Sequence, residues 1–380
     1  MYDVIVVGAG PAGSMTSYMI ASTGYSVLMI EKKKEIGFPI QCGEGITQFC
    51  LQYNKLPEGN WIKWKVKGVK SVLPSGYYFY TEEPGYSIDR AGFDKWLAER
   101  AIERGAELVN AKAKAIEGKA GKWKIFTNEG EYKGRIVIGA DGPSSNIARW
   151  RGLLMERYYL LAYQYKFDAK YMKQMDDKWF SIYWHEKFRG GYGWVFPRGE
   201  EYNVGVGGVN ASVSQLKSFC KSIGIDIDKK KEMNKGVIPF AYKFVSRAQE
   251  GIMIVGDAAC MTNPTSGGGI QAALASGRIS AKKAIKSLEE ENFSITLEYD
   301  REIRKTPYLH PAHLKCARYL QKWKNEDWLF LGSILHGKKF TDLTLWRSFL
   351  AGLKHPSYLL RAREMLTIRK AMKINQKYGW

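Results

Sequence analysis

The fold is decided by the stretch Val4–Gly13, which reads VIVVGAGPAG. Its first four residues form a short continuous apolar run, the pattern of a parallel strand that is covered on both faces. The glycines follow at the spacing Gly-x-Gly-x-x-Gly, a helix is expected from about Ser14, and a second strand is expected at Ser26–Ile30. The stretch therefore predicts a βαβ unit of the kind that binds a dinucleotide.

Each glycine of this stretch has a physical role. Gly8 allows a tight turn out of the strand, Gly10 lets the backbone approach a pyrophosphate, and Gly13 lets the helix and the strand pack closely. The helix N-terminus offers N–H groups and the positive end of its dipole to the phosphates. Glu31 ends the second strand, where a carboxylate accepts a hydrogen bond from a ribose hydroxyl. The unit suits NAD and FAD alike.

A second glycine-rich string also lies between an expected strand and an expected helix. It comprises residues 256–259, GDAA, and residues 264–270, PTSGGGI. We expect Asp257 to meet a hydroxyl of a ribityl chain. The turn at Gly267–Gly269 would bring backbone amides to the edge of a flavin ring, at the start of another helix. This string favours FAD over NAD.

Together with Asp141-Gly142, these strings resemble the glutathione-reductase-like FAD superfamily, in the branch that contains p-hydroxybenzoate hydroxylase and geranylgeranyl reductase. Within that branch, Gln41–Gly45 (QCGEG) is similar to the CGEG string of archaeal-type geranylgeranyl reductases. Gly191–Pro197 (GYGWVFP) is similar to the YxWxFP element of the same family. The chain thus resembles the digeranylgeranylglycerophospholipid reductase-like family over residues 1 to about 290, and beyond them it shows only general helical character.

The resemblance implies an α/β fold, α+β overall: a glutathione-reductase-like Rossmann FAD domain with an inserted antiparallel β-sheet substrate domain and a C-terminal helical region. We expect the FAD-binding domain to be discontinuous, over residues 1–60, 85–155 and 240–290. The substrate domain is expected at 61–84 and 156–239. Residues 291–380 are expected to form a helical, basic region at a membrane surface.

The resemblance also implies contacts with FAD. Arg90, at the start of an expected helix, corresponds to a flavin contact, and Ala113 corresponds by position to a backbone contact with the adenine part. The full set expected to bind the cofactor is Gly8, Gly10, Ala12, Gly13, Glu31, Cys42, Gly43, Gly45, Arg90, Ala113, Asp257, Gly268, Gly269 and Ile270.

Two further features are assigned to chemistry and substrate. Cys42 is the candidate catalytic residue: it either lies near the flavin, where its thiol tunes the ring or guides a proton, or is a small buried hydrophobe, as free cysteine often is. Tyr192, Trp194 and Phe196 alternate along one strand and therefore share a face. That aromatic face either contacts a polyisoprenoid substrate or packs the core of the sheet.

The implied activity is FAD-dependent reduction of C=C bonds in the geranylgeranyl chains of archaeal ether phospholipids, with hydride from N5 of the reduced flavin. NADPH or ferredoxin is the expected electron donor. The alternative is a flavin-dependent aromatic monooxygenase or another FAD oxidoreductase of the superfamily. Those monooxygenases usually carry a histidine after the GDAA string, where this chain has Cys260.

The charge balance bears on partners. The 380 residues include 58 Lys and Arg against 38 Asp and Glu, a formal net charge of +20. Such a surplus attracts nucleic acid, a lipid surface or a phosphorylated substrate. Because no nucleic-acid recognition motif occurs, we expect a prenylated lipid and an anionic membrane surface as partners, and no nucleic acid. Four tryptophans of the basic C-terminal region are expected to settle at the membrane interface: Trp323, Trp328, Trp346 and Trp380.

Other features limit the class of protein. The chain has no uninterrupted apolar run of about 18 residues and no basic segment at its start, so neither a membrane span nor a targeting segment is expected. Five scattered cysteines argue against a disulfide framework and a zinc site. His310 and His313 have no acidic partner motif, so capping or surface roles are expected and no metal. The expected location is cytoplasmic, peripheral at the inner face of the membrane.

Overall fold

A computed structural model describes residues 1–153, 156–241, 246–344, 358 and 361–379. Over these residues the chain is a mixed α/β protein with two sheets of eight strands each. The strands are β1 (Tyr2–Val7), β2 (Val27–Glu31), β3 (Gly45–Thr47), β4 (Ile62–Val72), β5 (Tyr78–Ile88), β6 (Glu107–Asn110), β7 (Ala113–Lys119), β8 (Lys122–Thr127), β9 (Gly130–Gly139), β10 (Tyr158–Asp168), β11 (Phe180–Tyr183), β12 (Tyr192–Pro197), β13 (Glu201–Gly208), β14 (Lys230–Phe240), β15 (Ala248–Gln249) and β16 (Ile252–Ile254).

The described helices pack on both sheets. They are α1 (Pro11–Ala21), α2 (Gln48–Asn54), α3 (Arg90–Glu103), α4 (Asn146–Trp150), α5 (Val213–Ser222), α6 (Ile270–Glu289), α7 (Glu298–Arg304), α8 (Pro311–Leu320), α9 (Asn325–Leu335) and α10 (Ala362–Tyr378).

The first sheet has the strand order β15-β16-β9-β1-β2-β6, with β7 and β8 attached beside β9. β1 lies between β2 and β9 and is parallel to both, and Val4–Val7 are buried, as the continuous apolar run predicts. Because the chain first adds β2 and β6 on one side of β1 and later β9 and β16 on the other, the carboxyl ends of β1 and β9 form a switch point, where open α/β sheets bind ligands. The predicted βαβ unit is confirmed.

The second sheet has the order β14-β10-β13-β12-β11-β4-β5-β3. Its neighbours are antiparallel, as predicted, except that β11 pairs with β4 in parallel. Two of its strands, β4 and β5, have 11 residues each. A register shift at Gly68, whose φ is +146°, lets β4 stay paired with β5 along its length.

β3 shows how closely the two sheets are interleaved along the chain. It pairs with β5 in the second sheet, although the sequence-based division assigned residues 1–60 to the FAD-binding domain. The division into domains itself remains a prediction.

The C-terminal helices are present as expected, but two of their tryptophans are buried. Trp323 and Trp328 are 3% and 4% exposed and pack together with Trp184 of the second sheet. The expectation that they settle at a membrane interface is therefore wrong, because they fill the core between the C-terminal helices and that sheet. Trp346 and Trp380 lie outside the described residues. In the part of the chain that the structure describes, no helix combines the length and the apolar character needed to cross a bilayer.

Candidate active site between the two sheets

One cavity of about 630 Å³ runs between the carboxyl ends of the first sheet and one face of the second. Both glycine-rich strings, the Cys42 loop and the three aromatic residues of β12 line it. Of the residues expected to bind the cofactor, all except Gly13 line this cavity. The structure thus brings together groups that lie more than 200 residues apart in the sequence.

The turn from β1 into α1 shows why each of its glycines is needed. Gly8 has a φ of +108°, and a Cβ built there would lie 2.3 Å from the carbonyl oxygen of Ala140. A Cβ on Gly13 would lie 1.9 Å from the carbonyl oxygen of Gly8. A Cβ on Gly10, in contrast, would meet no protein atom within 4 Å. Gly8 and Gly13 are therefore required by packing, whereas Gly10 leaves open space beside the helix N-terminus.

Glu31 ends β2 at the rim of this space. Its Oε2 accepts a hydrogen bond of 2.8 Å from the backbone N–H of Ala9, and its Oε1 accepts one of 2.9 Å from that of Lys33. The carboxylate is thus fixed by the glycine turn and by its own strand end. Further along this side, Ala113 begins β7 and lines the cavity together with Ala111 and Lys112.

A second helix N-terminus faces the same cavity. α6 begins after Gly269, and no side chain caps its first turn, just as none caps α1. Uncapped N-termini leave N–H groups and a positive dipole end for an anionic ligand. Asp257 lies beside the α6 start, where its Oδ1 accepts a hydrogen bond of 2.9 Å from the hydroxyl of Thr262. Burial raises the pKa of Asp257 above its ordinary value, against the smaller effects of Thr262 and Arg90.

Arg90 and Cys42 are neighbours in the lining of the same cavity. Asp89 caps α3, and Arg90 is the first residue of that helix. Its guanidinium forms hydrogen bonds of 2.7 and 3.1 Å with the carboxylate of Asp94. Burial disfavours the charge on Arg90, but Asp94 and the neighbouring Cys42 sulfur outweigh it and raise the pKa of Arg90. The Cys42 sulfur also accepts a hydrogen bond of 3.2 Å from the backbone N–H of Glu44.

The aromatic residues of β12 form one wall, as their alternation predicts. The Tyr192 and Trp194 ring centroids lie 6.1 Å apart, and those of Trp194 and Phe196 lie 6.4 Å apart. All three line the cavity, and Trp194 and Phe196 also pack against Phe180 and Val69 within the sheet. The aromatic face thus packs within the sheet and also lines the cavity, and its contact with a polyisoprenoid substrate stays a prediction. The Tyr192 hydroxyl donates a hydrogen bond to the carbonyl oxygen of Ser266.

The comparisons with known proteins agree with this geometry. A family model described as lycopene cyclase protein matches residues 3–351. A digeranylgeranylglycerophospholipid reductase of Methanopyrus kandleri is 36% identical over 83% of this chain and 89% of its own length. The enzyme of that name from Methanocaldococcus jannaschii is 32% identical over 96% of this chain and 98% of its own. The chain belongs to the digeranylgeranylglycerophospholipid reductase family.

Solved structures place this reductase-family chain in the same fold. A geranylgeranyl bacteriochlorophyll reductase-like protein from Thermoplasma acidophilum superposes with a TM-score of 0.81 at 28% identity, covering 92% of this chain and 95% of that one. A flavin-dependent brominase superposes with a TM-score of 0.71 at 17% identity, covering 87% of this chain and 89% of that one, which shows the fold alone.

Sequence reasoning missed two parts of the site in this reductase-family chain. Glu44, inside the quoted CGEG string, is fully buried and forms several polar contacts, although only its neighbours were assigned roles. A lone charge between glycines was the signal that could have identified it. The second part comes from the C-terminal region and from Trp184, for which the sequence carried no motif. The cavity-lining residues concerned are Trp184, Phe340, Met372, Asn375 and Gln376.

His310 and His313 have structural roles in this reductase-family chain. His310 caps α8 by accepting a hydrogen bond from the backbone N–H of Ala312, as its expected capping role predicts. His313 is buried and its Nε2 lies 3.1 Å from the carbonyl oxygen of Pro307. Within residues that the structure describes, no group of three or more His, Cys, Asp or Glu is arranged to hold a metal ion.

Proposed function

We propose that the protein reduces C=C bonds in the geranylgeranyl chains of an archaeal ether phospholipid, using FAD. The observation that carries this proposal is the continuity of one cavity. The cavity joins two uncapped helix N-termini, which suit a dinucleotide, to an aromatic and aliphatic wall, which suits a polyisoprenoid. Membership in a family of reductases named for such a lipid supplies the reaction.

The residues present fit FAD. The open space above Gly10 and the α1 N-terminus would accept the pyrophosphate, and Glu31 would accept a hydrogen bond from the adenosine ribose. Asp257 and the α6 N-terminus, which line the cavity, would hold the ribityl chain and the ring. Arg90 and Cys42, which also line the cavity, would lie near the flavin, and Ala113 would border the adenine. When bound in its reduced form, FAD supplies the hydride for the alkene.

The chain's own residues contribute positioning and electrostatics. An isolated alkene offers no polar group to grip, so the walls must hold the reacting bond in place and exclude water. The electron-rich faces of Tyr192 and Trp194 stabilise positive charge that develops on the substituted alkene carbon. Burial raises the pKa of Tyr192, which keeps its hydroxyl protonated and bonded to Ser266. The Cys42 thiol, near the ring, delivers or guides the proton that completes the reduction.

The partners follow from the same reaction. Electrons come from NADPH or ferredoxin. The lipid substrate lies in an anionic membrane, to which the net charge of +20 draws the protein. Support for contact with the membrane comes from the edge strand β14 rather than from the buried tryptophans. On that strand Met233 and Val237 are exposed beside Lys235, and β14 also forms part of the cavity wall.

Anaerobic incubation of the chemically reduced holoenzyme with a geranylgeranyl ether phospholipid tests the proposal. Mass spectrometry should detect a stepwise gain of hydrogen pairs, one pair for each reduced bond. Parallel incubations with NADPH and with reduced ferredoxin then identify the donor. Unchanged lipid beside a reduced flavin that is retained would refute the lipid substrate. NADPH-stimulated oxygen uptake with a phenolic compound would instead support the monooxygenase alternative.

A further inference from the structure

Glu44 occupies an unusual position in the loop that carries Cys42. Its side chain is fully buried, and its φ is +65°, in the left-handed region that favours glycine. Its carboxylate lies 3.2 Å from the Arg198 guanidinium and 3.7 Å from the Lys166 ammonium, and accepts a 3.0 Å hydrogen bond from the Asn203 side chain. A buried carboxylate in a strained backbone conformation persists only where its partners hold it.

The second sheet also holds the two residues before Glu44 by their backbone. The Gln164 side chain donates a hydrogen bond of 3.3 Å to the carbonyl oxygen of Cys42. The Asn203 side chain donates one of 3.0 Å to the carbonyl oxygen of Gly43. Gln164 stands on β10 and Asn203 on the adjacent β13, so neighbouring strands hold consecutive residues of the loop.

On its other side, Glu44 contacts the start of α3. Its Oε1 accepts a hydrogen bond of 3.2 Å from the backbone N–H of Arg90, and its carbonyl oxygen accepts one of 2.9 Å from that of Ile88. Arg90 in turn faces the Cys42 sulfur. The Glu44 carboxylate therefore connects the second sheet to α3, whose first residue, Arg90, borders the Cys42 thiol.

The two cations around Glu44 each have a second carboxylate. Arg198 lies 3.2 Å from Glu201, and Lys166 lies 2.8 Å from Glu232. Loss of Glu44 therefore leaves both cations paired. Of these three carboxylates, only that of Glu44 connects its cations to the Cys42 loop and to α3.

We propose that Glu44 is a positioning residue that holds the Cys42 thiol at its place in the cavity. The catalytic importance of this position rests on the proposed function, whereas the geometry does not depend on it. The contacts of Glu44 fix the Cys42 loop between β10, β13 and α3. Neutralising the carboxylate turns an acceptor into a donor beside Arg198 and Lys166, so the loop loses its anchor while the cations keep their other partners.

The experiment compares Glu44→Gln with two matched controls, Glu201→Gln and Glu232→Gln. Each control removes one carboxylate from one of the same cations without touching the loop. The first readout is the rate of alkylation of the holoprotein by iodoacetamide. Cys42 is the reporter because Cys50, Cys220, Cys260 and Cys316 are buried.

Cys42 should be alkylated about five-fold faster in Glu44→Gln than in wild type. The kcat of the variant should fall about ten-fold with a smaller change in KM, because a loosened thiol weakens the interactions made in the transition state more than it weakens substrate binding. Both controls should stay within about two-fold on both measures. Flavin content should be retained in all three. A Glu44→Gln variant that alkylates and turns over like the controls would overturn the proposal.

Two further variants keep the test decisive if Glu44→Gln does not fold. Glu44→Asp keeps the charge on a shorter side chain and should give intermediate values. Asn203→Ala removes one donor from Gly43 and one from Glu44 while leaving every charge, and should also accelerate alkylation. Wild-type alkylation in Asn203→Ala would count against the proposal. Alkylation needs no lipid, so failure of the wild type to reduce the lipid would count against the proposed function alone.

Discussion

The Asn263 side chain donates a hydrogen bond of 2.7 Å to the side-chain oxygen of Asn375. Both side chains are buried. Asn263 also accepts a hydrogen bond of 2.9 Å from the backbone N–H of Thr265, at the start of the glycine-rich loop that leads into α6. Asn375 stands on α10, so the C-terminal helix is bonded to the glycine-rich loop that lines the cavity.

Removing this contact should loosen the glycine-rich loop. We expect Asn375→Ala to lower the free energy of unfolding by about 1–3 kcal/mol, because it leaves the buried Asn263 amide without its acceptor. It should also raise the rate of flavin release. Thermal unfolding and flavin fluorescence after dilution check both effects. Lys373→Ala, an exposed change on the same helix, is the control, and equal behaviour of the two variants would argue against the coupling.

The glycines of the first turn allow packing and ligand binding to be separated. Gly13→Ala places a Cβ 1.9 Å from the Gly8 carbonyl oxygen and should cost about 3 kcal/mol of stability through overpacking. Gly10→Ala meets no protein atom within 4 Å, so its melting temperature without flavin should match that of wild type. Its flavin affinity should fall about ten-fold, which corresponds to about 1.4 kcal/mol. A Gly10→Ala protein with unchanged flavin affinity would mean that the pyrophosphate does not approach this residue.

His313 should make stability depend on pH. Burial lowers its pKa from the ordinary 6.5 to about 4, and a backbone hydrogen bond to Pro307 only partly opposes this effect. The unfolded chain therefore binds more protons than the folded chain between these values, so stability falls as the pH drops from about 6.5 toward 4, by on the order of 3 kcal/mol. Above pH 6.5 both states are neutral and the effect vanishes.

The variant His313→Gln isolates this contribution, since its amide can still donate to the Pro307 carbonyl oxygen. Urea unfolding at pH 7 and at pH 4.5 should show a smaller loss of stability in the variant than in wild type. Equal losses in the two proteins would show that His313 already titrates normally in the folded state.

The sequence predicted the local parts of the site better than the tertiary ones. Two predictions depend only on local sequence: the glycine turn around Gly10 and the face shared by Tyr192, Trp194 and Phe196. The structure confirms the turn and the shared face. The contribution of Asn375 depends on α10 packing against α8 and reaching the cavity, which no local pattern encodes. Trp323 and Trp328 were misjudged for the same reason: an aromatic residue beside lysines suits a membrane interface and a core equally, and only the packing decides.

The edge strand β14 offers the last prediction, on membrane contact. Met233 and Val237 are 47% and 38% exposed, and since residues two apart share a face, Lys235 lies between them on the same side. Tyr159 of the adjacent strand β10 is also exposed on that face, because Leu161, two residues further along β10, pairs with Val237. Glu232 stands nearby but is paired with Lys166. Exposed apolar side chains gathered beside a lysine, on a strand that also borders the cavity, are suited to an anionic lipid surface.

Sedimentation with vesicles that contain phosphatidylglycerol should therefore show binding that salt weakens. Met233→Ser should reduce the binding about ten-fold through lost apolar burial, and Lys235→Ser about five-fold through the loss of about 1 kcal/mol of attraction. Leu297→Ser, which removes an equally exposed apolar residue from a distant segment, should bind like wild type. If all three variants sediment alike, the membrane lies against another surface. If wild type does not bind even at low salt, the protein takes its lipid without docking on the bilayer.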